Sequence, residues 1–247
     1  DLCLVIPVFN HQTGICNTIN KLGDKNLPCI VVDDGSDRSC GAAIEQLAQR
    51  YDWLSVVRHT HNLGKGRAVK SGLLAAREQG YSHVLQLDAD EQHDLSALDP
   101  LIKMSQACPD HVILGVPQYD ESASRMRLAS RYVTHVWVWI NTLSITIRDS
   151  MCGFRIYPVA SVTTLIDTTH LGDRMEFDIE VLVKLYWRGQ HFRHVRVNTR
   201  YPDDGVSHFR LVEDNWRITK MHTRLFFGML LRLPLLLARA IESKRCD

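Results

Sequence analysis

No Cys-x-x-Cys pair occurs in the 247 residues, and the seven cysteines (Cys3, Cys16, Cys29, Cys40, Cys108, Cys152, Cys246) are scattered and odd in number. That spacing excludes a zinc ribbon and argues against a disulfide framework, so a reducing compartment is expected. The twelve histidines form neither His-x-x-x-His nor His-Glu-x-x-His, which weighs against a transition-metal site. No Gly-x-Gly-x-x-Gly follows the first apolar run, which weighs against a dinucleotide dehydrogenase. An excess of one charge is missing too: the net charge is +1, so nothing points to nucleic acid. Uninterrupted apolar stretches fall short of the ~20 residues that span a bilayer. An initiator Met and a signal peptide are also lacking, and the chain begins on a strand at Asp1, as expected of a trimmed piece with flanking segments.

What is present is ordinary for a globular protein: 45% apolar and 23% charged residues, enough to bury a substantial core. Apolar strands are expected at 2–9, 28–33, 55–59, 83–88 and 111–117. Helices are expected between them, at about 13–22, 42–51, 67–79 and 95–107. Strands separated by helical stretches of this length mean βαβ units and a mainly parallel sheet. These strands lack polar alternation, as happens when helices cover both faces. Beyond Pro117 one long helix is expected over 123–147, a strand at 153–157, a helix at 177–188 and a strand at 192–200. The fold class is therefore α/β, with one domain over 1–210 and a C-terminal amphipathic helical segment over 211–247.

Two strands end in acids. Leu85-Gln86-Leu87 runs into Asp88-Ala89-Asp90-Glu91-Gln92, and Cys29-Ile30-Val31-Val32 runs into Asp33-Asp34-Gly35-Ser36. Alternate positions of an extended segment face one side, so Asp88 and Asp90 can address one ion, with Gln92 as a third oxygen donor. Oxygen ligands select Mg²⁺ or Mn²⁺ over zinc and leave room for substrate phosphates. The plain alternative is a solvated turn with Asp94 capping the next helix. Asp33 and Asp34 can accept hydrogen bonds from a base and a ribose, or simply form an acidic turn. Asn62-Leu63-Gly64-Lys65-Gly66-Arg67 opens a helix and offers backbone N–H groups and Lys65 to a diphosphate; it is not a Walker A loop. In open α/β sheets ligands sit beyond the carboxyl ends of the strands. An enzyme is expected.

Taken in order, these segments resemble glycosyltransferase family 2, nearest its dolichyl- or polyprenyl-phosphate sugar transferase branch. The resemblance is carried by Ile6-Pro7-Val8-Phe9-Asn10, Val32-Asp33-Asp34-Gly35-Ser36, Asn62-Leu63-Gly64-Lys65-Gly66 and Leu87-Asp88-Ala89-Asp90-Glu91-Gln92. It continues through Asp149-Ser150-Met151-Cys152-Gly153-Phe154-Arg155-Ile156-Tyr157, Glu176-Phe177-Asp178-Ile179-Glu180, and Arg200-Tyr201 leading to Ser207-His208. It implies a GT-A fold, a Rossmann-like sandwich, and inverting transfer from a UDP- or GDP-linked sugar. By position it puts Pro7, Phe9, Asp33 and Asp34 around the nucleoside, with Ala89 beside them and Lys65 on the diphosphate. Asp88, Asp90 and Gln92 would hold the metal. Asp149 and Arg155 would line the sugar and acceptor side, and Arg131 and Arg200 would meet phosphate, with Arg125 and Arg127 nearby. Two positions depart from that branch. His11 stands where it has Glu, and His208 where it often has Lys, so the phosphate end carries a side chain only partly cationic at neutral pH.

The chemistry asks for these residue types. Breaking the sugar–diphosphate bond builds negative charge on the leaving group, which a divalent ion neutralises without a proton. A phosphate acceptor needs no general base, whereas a hydroxyl acceptor does. Asp178 is the first choice for that base and Glu176 the second; the plain alternative for Glu176, Asp178 and Glu180 is a solvated helix start. Trp137 and Trp139 lie in an apolar helical run and are expected in the core.

Residues 212–243 alternate Arg217, Lys220, Arg224, Arg232 and Arg239 with a strongly apolar set from Leu225 to Leu237. Such a helix lies in a membrane interface or packs on its own domain or a second subunit. The expectation is therefore a metal-dependent transferase acting on a lipid-linked or membrane-proximal acceptor at the cytoplasmic face. A sugar nucleotidyltransferase is disfavoured, because its Gly-rich loop would follow the first strand. A catalytically silent nucleotide-sugar-binding scaffold is the alternative from another class.

Overall fold

The computed structural model describes residues 1–91, 94–119, 125–199 and 210–243. A seven-stranded sheet runs in the order β3-β2-β1-β4-β6-β5-β7. Its strands are β1 (Leu2–Val8), β2 (Cys29–Asp33), β3 (Leu54–Arg58), β4 (His83–Gln86), β5 (His111–Tyr119), β6 (Arg155–Pro158) and β7 (His191–Thr199). Neighbouring strands are parallel except at β6, which is antiparallel to both β4 and β5. Helices α1 (Gln12–Leu22), α2 (Arg38–Arg50), α3 (Lys65–Glu78) and α4 (Leu98–Ala107) connect the first five strands.

β1 and β2 are buried along nearly their whole length, so both faces need apolar side chains. One face packs Leu4, Ile6, Ile15, Ile19 and Ile44; the other packs Val5, Val32, Val69 and Leu73. Each such side chain contributes about 1.5–3 kcal/mol on burial. Gly72 lets α3 close on this sheet, since a Cβ there would stand 2.3 Å from Val5 Cγ1. Asp37 caps α2 by accepting from the Cys40 N–H at 2.8 Å, and Asp94 caps the short 3₁₀ turn Leu95–Ala97 through Ser96 N–H at 2.9 Å.

Beyond β5 the structure differs from the expected layout in three places. The long helix α5 (Arg125–Thr142) stops five residues early. Leu143 adopts φ 51°, and the Trp139 indole donates to the Ile147 carbonyl at 2.9 Å, folding the chain back. A helix not anticipated, α6 (Val159–Thr168), follows β6; its β-branched residues disguise it as strand. After α7 (Phe177–Trp187) and β7, the C-terminal segment is two helices, α8 (Leu211–Leu231) and α9 (Leu233–Ser243), bent by 77°. Pro234 sits in the first turn of α9, where its missing N–H costs nothing.

Met221, Leu225, Met229 and Leu236 of these two helices join the core that also holds Val138 and Trp187. Glu180, fully buried on α7, pairs with Lys184 at 2.7 Å and with Arg224 of α8 at 2.6 Å. Arg232 lies over the Trp187 ring at 4.7 Å, and Arg239 donates to the Tyr186 and Trp187 carbonyls. Three of the basic tail residues thus face the domain. The apolar remainder does not: Phe227, Leu231, Leu235 and Leu237 are exposed, as are Tyr132, Val133 and Trp137 on α5. Trp137 is therefore a surface residue, packed edge-on against Phe226, and not the core residue expected. No single helix among the described residues is long and apolar enough to cross a membrane.

Candidate active site

The carboxyl ends of β1, β2 and β4 bring three loops to one rim of the sheet. Asp33 and Asp34 close β2, and both are buried. Asp33 accepts from Ser36 N–H at 2.9 Å and pairs with Arg58 Nε at 3.0 Å. Asp34 Oδ1 lies 2.7 Å from His59 Nδ1 and accepts from Leu63 N–H at 2.9 Å, while Oδ2 accepts from Gly64 N–H at 2.8 Å. These carboxylates first of all shape the turn and the Gly-rich loop. His59 and Arg58 are partners that sequence reading did not single out.

The Gly-rich loop is clamped from its other side by residues 171–177. Arg67 N–H donates to the Asp173 carbonyl at 2.8 Å, Lys70 reaches Asp173 at 2.7 Å, and Arg174 donates to Asn62 at 3.3 Å. Gly64, at φ +107°, and Gly66 have no room for a Cβ: it would stand 2.5 Å from the Asp173 carbonyl at one and 2.4 Å from Phe177 Cβ at the other. Arg174 is thus a basic side chain beside the loop that the motif alone did not reveal.

Lys65 is the hinge of the site. Its ammonium lies 2.8 Å from Asp88 Oδ2 and 2.8 Å from Asp178 Oδ2. Burial alone would lower the lysine pKa, but Asp178 and then Asp88 overcome it and hold the ammonium charged. Burial likewise works against the Asp178 carboxylate, and Lys65, Arg155 and Gln86 overcome it, so its pKa sits below the ordinary carboxylate range. Gln86 donates to Asp178 Oδ1 at 3.1 Å. Gln86 precedes Asp88 by two positions, and that spacing was the signal for a shared side.

Glu176, Asp178 and Glu180 are all buried, so α7 does not begin as the solvated acidic turn considered above. Glu176 packs on Gly172 and leaves Oε2 without a hydrogen-bond partner among the described residues. Arg155 lies beneath the site and does not line it. The side chain is fully buried and donates to the carbonyls of Cys152, Ser150 and Asp178 and to the Tyr157 hydroxyl. A guanidinium on the central strand β6 has no route to solvent, and four internal acceptors satisfy it.

Asp149 forms a second cluster. Arg131 Nη2 lies 2.9 and 2.7 Å from its two oxygens, and His135 Nε2 lies 3.3 Å away. Burial would raise this carboxyl, but His135 and Arg131 outweigh it and hold it far below the usual range. Asp149 also accepts from Met151 and Cys152 N–H at 2.9 and 2.7 Å, which fixes the turn into Gly153. That turn touches the metal-type carboxylate: a Cβ on Gly153 would stand 2.2 Å from Asp88 Oδ2. His135 escaped sequence reading although it lies one helical turn from Arg131 on α5. Burial pushes the neighbouring Cys152 thiol up to about 12, in keeping with an inert packed side chain.

Pro7 and Phe9 are partly buried at the end of β1, and Ala89 is buried with its carbonyl against α1 at Gly14. Gln92, Arg200 and His208 lie outside the described residues, as do the side chains of Arg125 and Arg127. Among the described residues no three His, Cys, Asp or Glu side chains converge into a complete metal cage. Mg²⁺ and Mn²⁺ need no such cage when substrate phosphates complete the shell. Asp88 Oδ1, buried and without a hydrogen-bond partner among the described residues, is a donor of the right kind, and Asp90 follows on the same rim. The residues present fit the ion.

Two solved structures share this architecture. Glucosyl-3-phosphoglycerate synthase of Mycobacterium tuberculosis superposes with TM-score 0.63 at 16% identity, over 93% of this chain and 79% of that one. A mannosyltransferase of Pyrobaculum calidifontis, in complex with GDP-Man and Mn²⁺, gives TM-score 0.57 at 16% identity, over 97% and 68%. The fold is the GT-A type, with a mainly parallel central sheet. In sequence, the dolichyl-phosphate β-glucosyltransferase of Dictyostelium discoideum is 24% identical over 202 residues, 73% of this chain. The chain spans 61% of that relative's length. Residues 3–168 match the family model described as glycosyl transferase family 2, and the chain belongs to that family as a glycosyltransferase.

Proposed function

We propose that this glycosyltransferase moves a sugar, with inversion at the anomeric carbon, from a UDP- or GDP-linked donor to the phosphate of a membrane-anchored lipid carrier. The observation that carries the acceptor half is the ion pair between Lys65 and Asp178 at 2.8 Å. A carboxylate held by an ammonium and an amide N–H, with its pKa lowered, is a poor proton acceptor. An acceptor phosphate carries its own negative oxygen and needs no base. On this reading Asp178 positions Lys65 and does not take a proton. The relative from Dictyostelium is, by its name, a dolichyl-phosphate glucosyltransferase, which supports the same acceptor class.

On the donor side, Asp88 and Asp90 would hold Mg²⁺ or Mn²⁺, which neutralises charge building on the departing diphosphate. The mannosyltransferase neighbour is in complex with GDP-Man and Mn²⁺, which supports that cofactor. The loop over Asn62–Arg67, with the N–H groups opening α3, suits the diphosphate. Pro7, Phe9, Asp33 and Asp34 would border the nucleoside. Arg131 and His135, drawn together by Asp149, would offer positive charge to the acceptor phosphate. The exposed apolar faces of α5, α8 and α9 suit the surface of a membrane, at which the carrier would be reached from the cytoplasmic side; the cysteines among the described residues, all free thiols, accord with that compartment.

The test uses radiolabelled UDP- and GDP-sugars with Mn²⁺ and two lipids of one chain length, a polyprenyl phosphate and the free polyprenol. Label is expected in the phosphate lipid only, and EDTA or Asp90→Asn is expected to abolish transfer. Equal transfer to the alcohol would remove the phosphate acceptor, and transfer unaffected by EDTA would remove the metal.

A further inference from the structure

The Asp88 carboxylate has two different oxygens. Oδ2 takes a hydrogen bond from the Lys65 ammonium at 2.8 Å. Oδ1 is buried and has no hydrogen-bond partner among the described residues. Gly153 packs against the same carboxylate: a Cβ there would stand 2.2 Å from Oδ2 and 2.7 Å from Oδ1. We infer that Lys65 is a resident cation that shares Asp88 with the divalent ion, so that the free protein holds the ion weakly and the ion enters with the donor diphosphate. This rests on the reading that Asp88 and Asp90 hold that ion.

An ion on Oδ1 at the usual ~2.1 Å would lie within roughly 7 Å of the ammonium on Oδ2. Two positive charges that close, in a partly buried site, repel each other. Lys65 cannot leave without cost, since Asp178 holds it from the other side at 2.8 Å. A diphosphate changes the balance. Its negative oxygens attract both cations, and of the three N–H groups on the ammonium two are engaged and one remains. Lys65 therefore opposes metal binding before the nucleotide arrives and supports nucleotide binding even without metal.

These two effects have opposite signs, which makes the inference testable without turnover. Mn²⁺ affinity of the nucleotide-free protein is measured by electron paramagnetic resonance, and UDP and GDP affinity by calorimetry in EDTA. Lys65→Met is expected to bind Mn²⁺ about ten-fold more tightly and the preferred nucleotide about ten-fold more weakly; Lys65→Arg, which keeps the charge, is expected to stay near wild type on both. Because Lys65→Met takes from buried Asp178 its nearest charge partner, the same measurements on Lys65→Met with Asp178→Asn remove that strain. Unchanged or weaker Mn²⁺ binding in both variants overturns the resident cation. If wild type binds no Mn²⁺ even with UDP or GDP present, the metal reading itself falls, and this inference with it.

Discussion

Arg131 and Asp149 meet so that one guanidinium nitrogen lies within 2.9 Å of both carboxylate oxygens, tying α5 to the turn that leads into β6. Breaking a buried ion pair by removing one partner costs about 3–5 kcal/mol. For a chain of this size Asp149→Ala should therefore lower Tm by roughly 6–15 °C. The folded-state pKa of Asp149 is depressed, so its contribution is present above the unfolded value near ~3.9 and lost as pH falls through the folded value. The gap in urea midpoint between wild type and Asp149→Ala should thus be full at pH 7 and shrink in strong acid. A gap that stays constant on acidification would show that the carboxylate charge is not what matters.

Gly153 and Gly23 make a matched pair of alanine substitutions. At Gly153 the new Cβ would meet Asp88 Oδ2 at 2.2 Å; at Gly23 the nearest atom is 3.6 Å away, on Tyr51. Gly153→Ala should weaken metal-dependent nucleotide binding by about two orders of magnitude, the scale of one lost electrostatic contact at a reacting centre. Gly23→Ala should leave it unchanged. Calorimetry with UDP or GDP and Mn²⁺ decides the matter, and equal affinity in the two variants would uncouple the Asp149 turn from the donor site.

His222 is buried between α5 and α8, 3.2 Å from Asn141, and burial lowers its pKa to about 4. A histidine whose folded pKa is depressed stabilises the fold fully above its unfolded pKa near ~6.5 and loses that contribution as pH falls toward 4. Wild type should lose about 2 kcal/mol between pH 7 and pH 5 from this group alone. His222→Gln should flatten that segment of the profile, as read by urea unfolding. A slope unchanged by the substitution would assign the loss to other groups.

Exposed Phe227 and Leu231 stand on the face of α8 turned away from the core. If that face meets a bilayer, replacing both by Glu should reduce co-sedimentation with vesicles containing anionic lipid several-fold, since each buried apolar side chain adds about 1.5–3 kcal/mol. The double variant should unfold at the wild-type temperature, because neither side chain belongs to the core. Equal sedimentation of both proteins would end the membrane proposal.

Much of this architecture was legible in the sequence because it rests on short-range signals. Apolar runs such as Cys29–Val32 announce strands that need cover on both faces, and the acids that follow them mark the functional rim. The helix over 159–168 stayed hidden, since Val159, Val162, Thr163 and Thr164 fit a strand as readily as a helix. The site shows the same division. Asp88 and Asp178 were expected from their motifs, but the Lys65 bridge joins residues far apart in the chain, and only tertiary packing brings them together. Arg155 looked like a ligand for the same reason that it is not one. The motif marks its position in sequence, whereas the strand that carries it runs through the centre of the sheet. His135 and Arg174 gain their importance from contacts across helices and loops, which no local pattern encodes.

The reversed direction of β6 has a consequence for biogenesis. Because that strand enters from the rim where its neighbours leave, the Asp149 turn lies beside Asp88, and the 171–177 clamp on Gly64 comes later still in the chain. The first half of the polypeptide can therefore emerge from the ribosome and assemble its layered βαβ portion while the donor pocket is still half-walled. The candidate site is complete only once the chain through residue 178 has been made, because shorter molecules lack both the clamp on Gly64 and the Asp178 contact to Lys65.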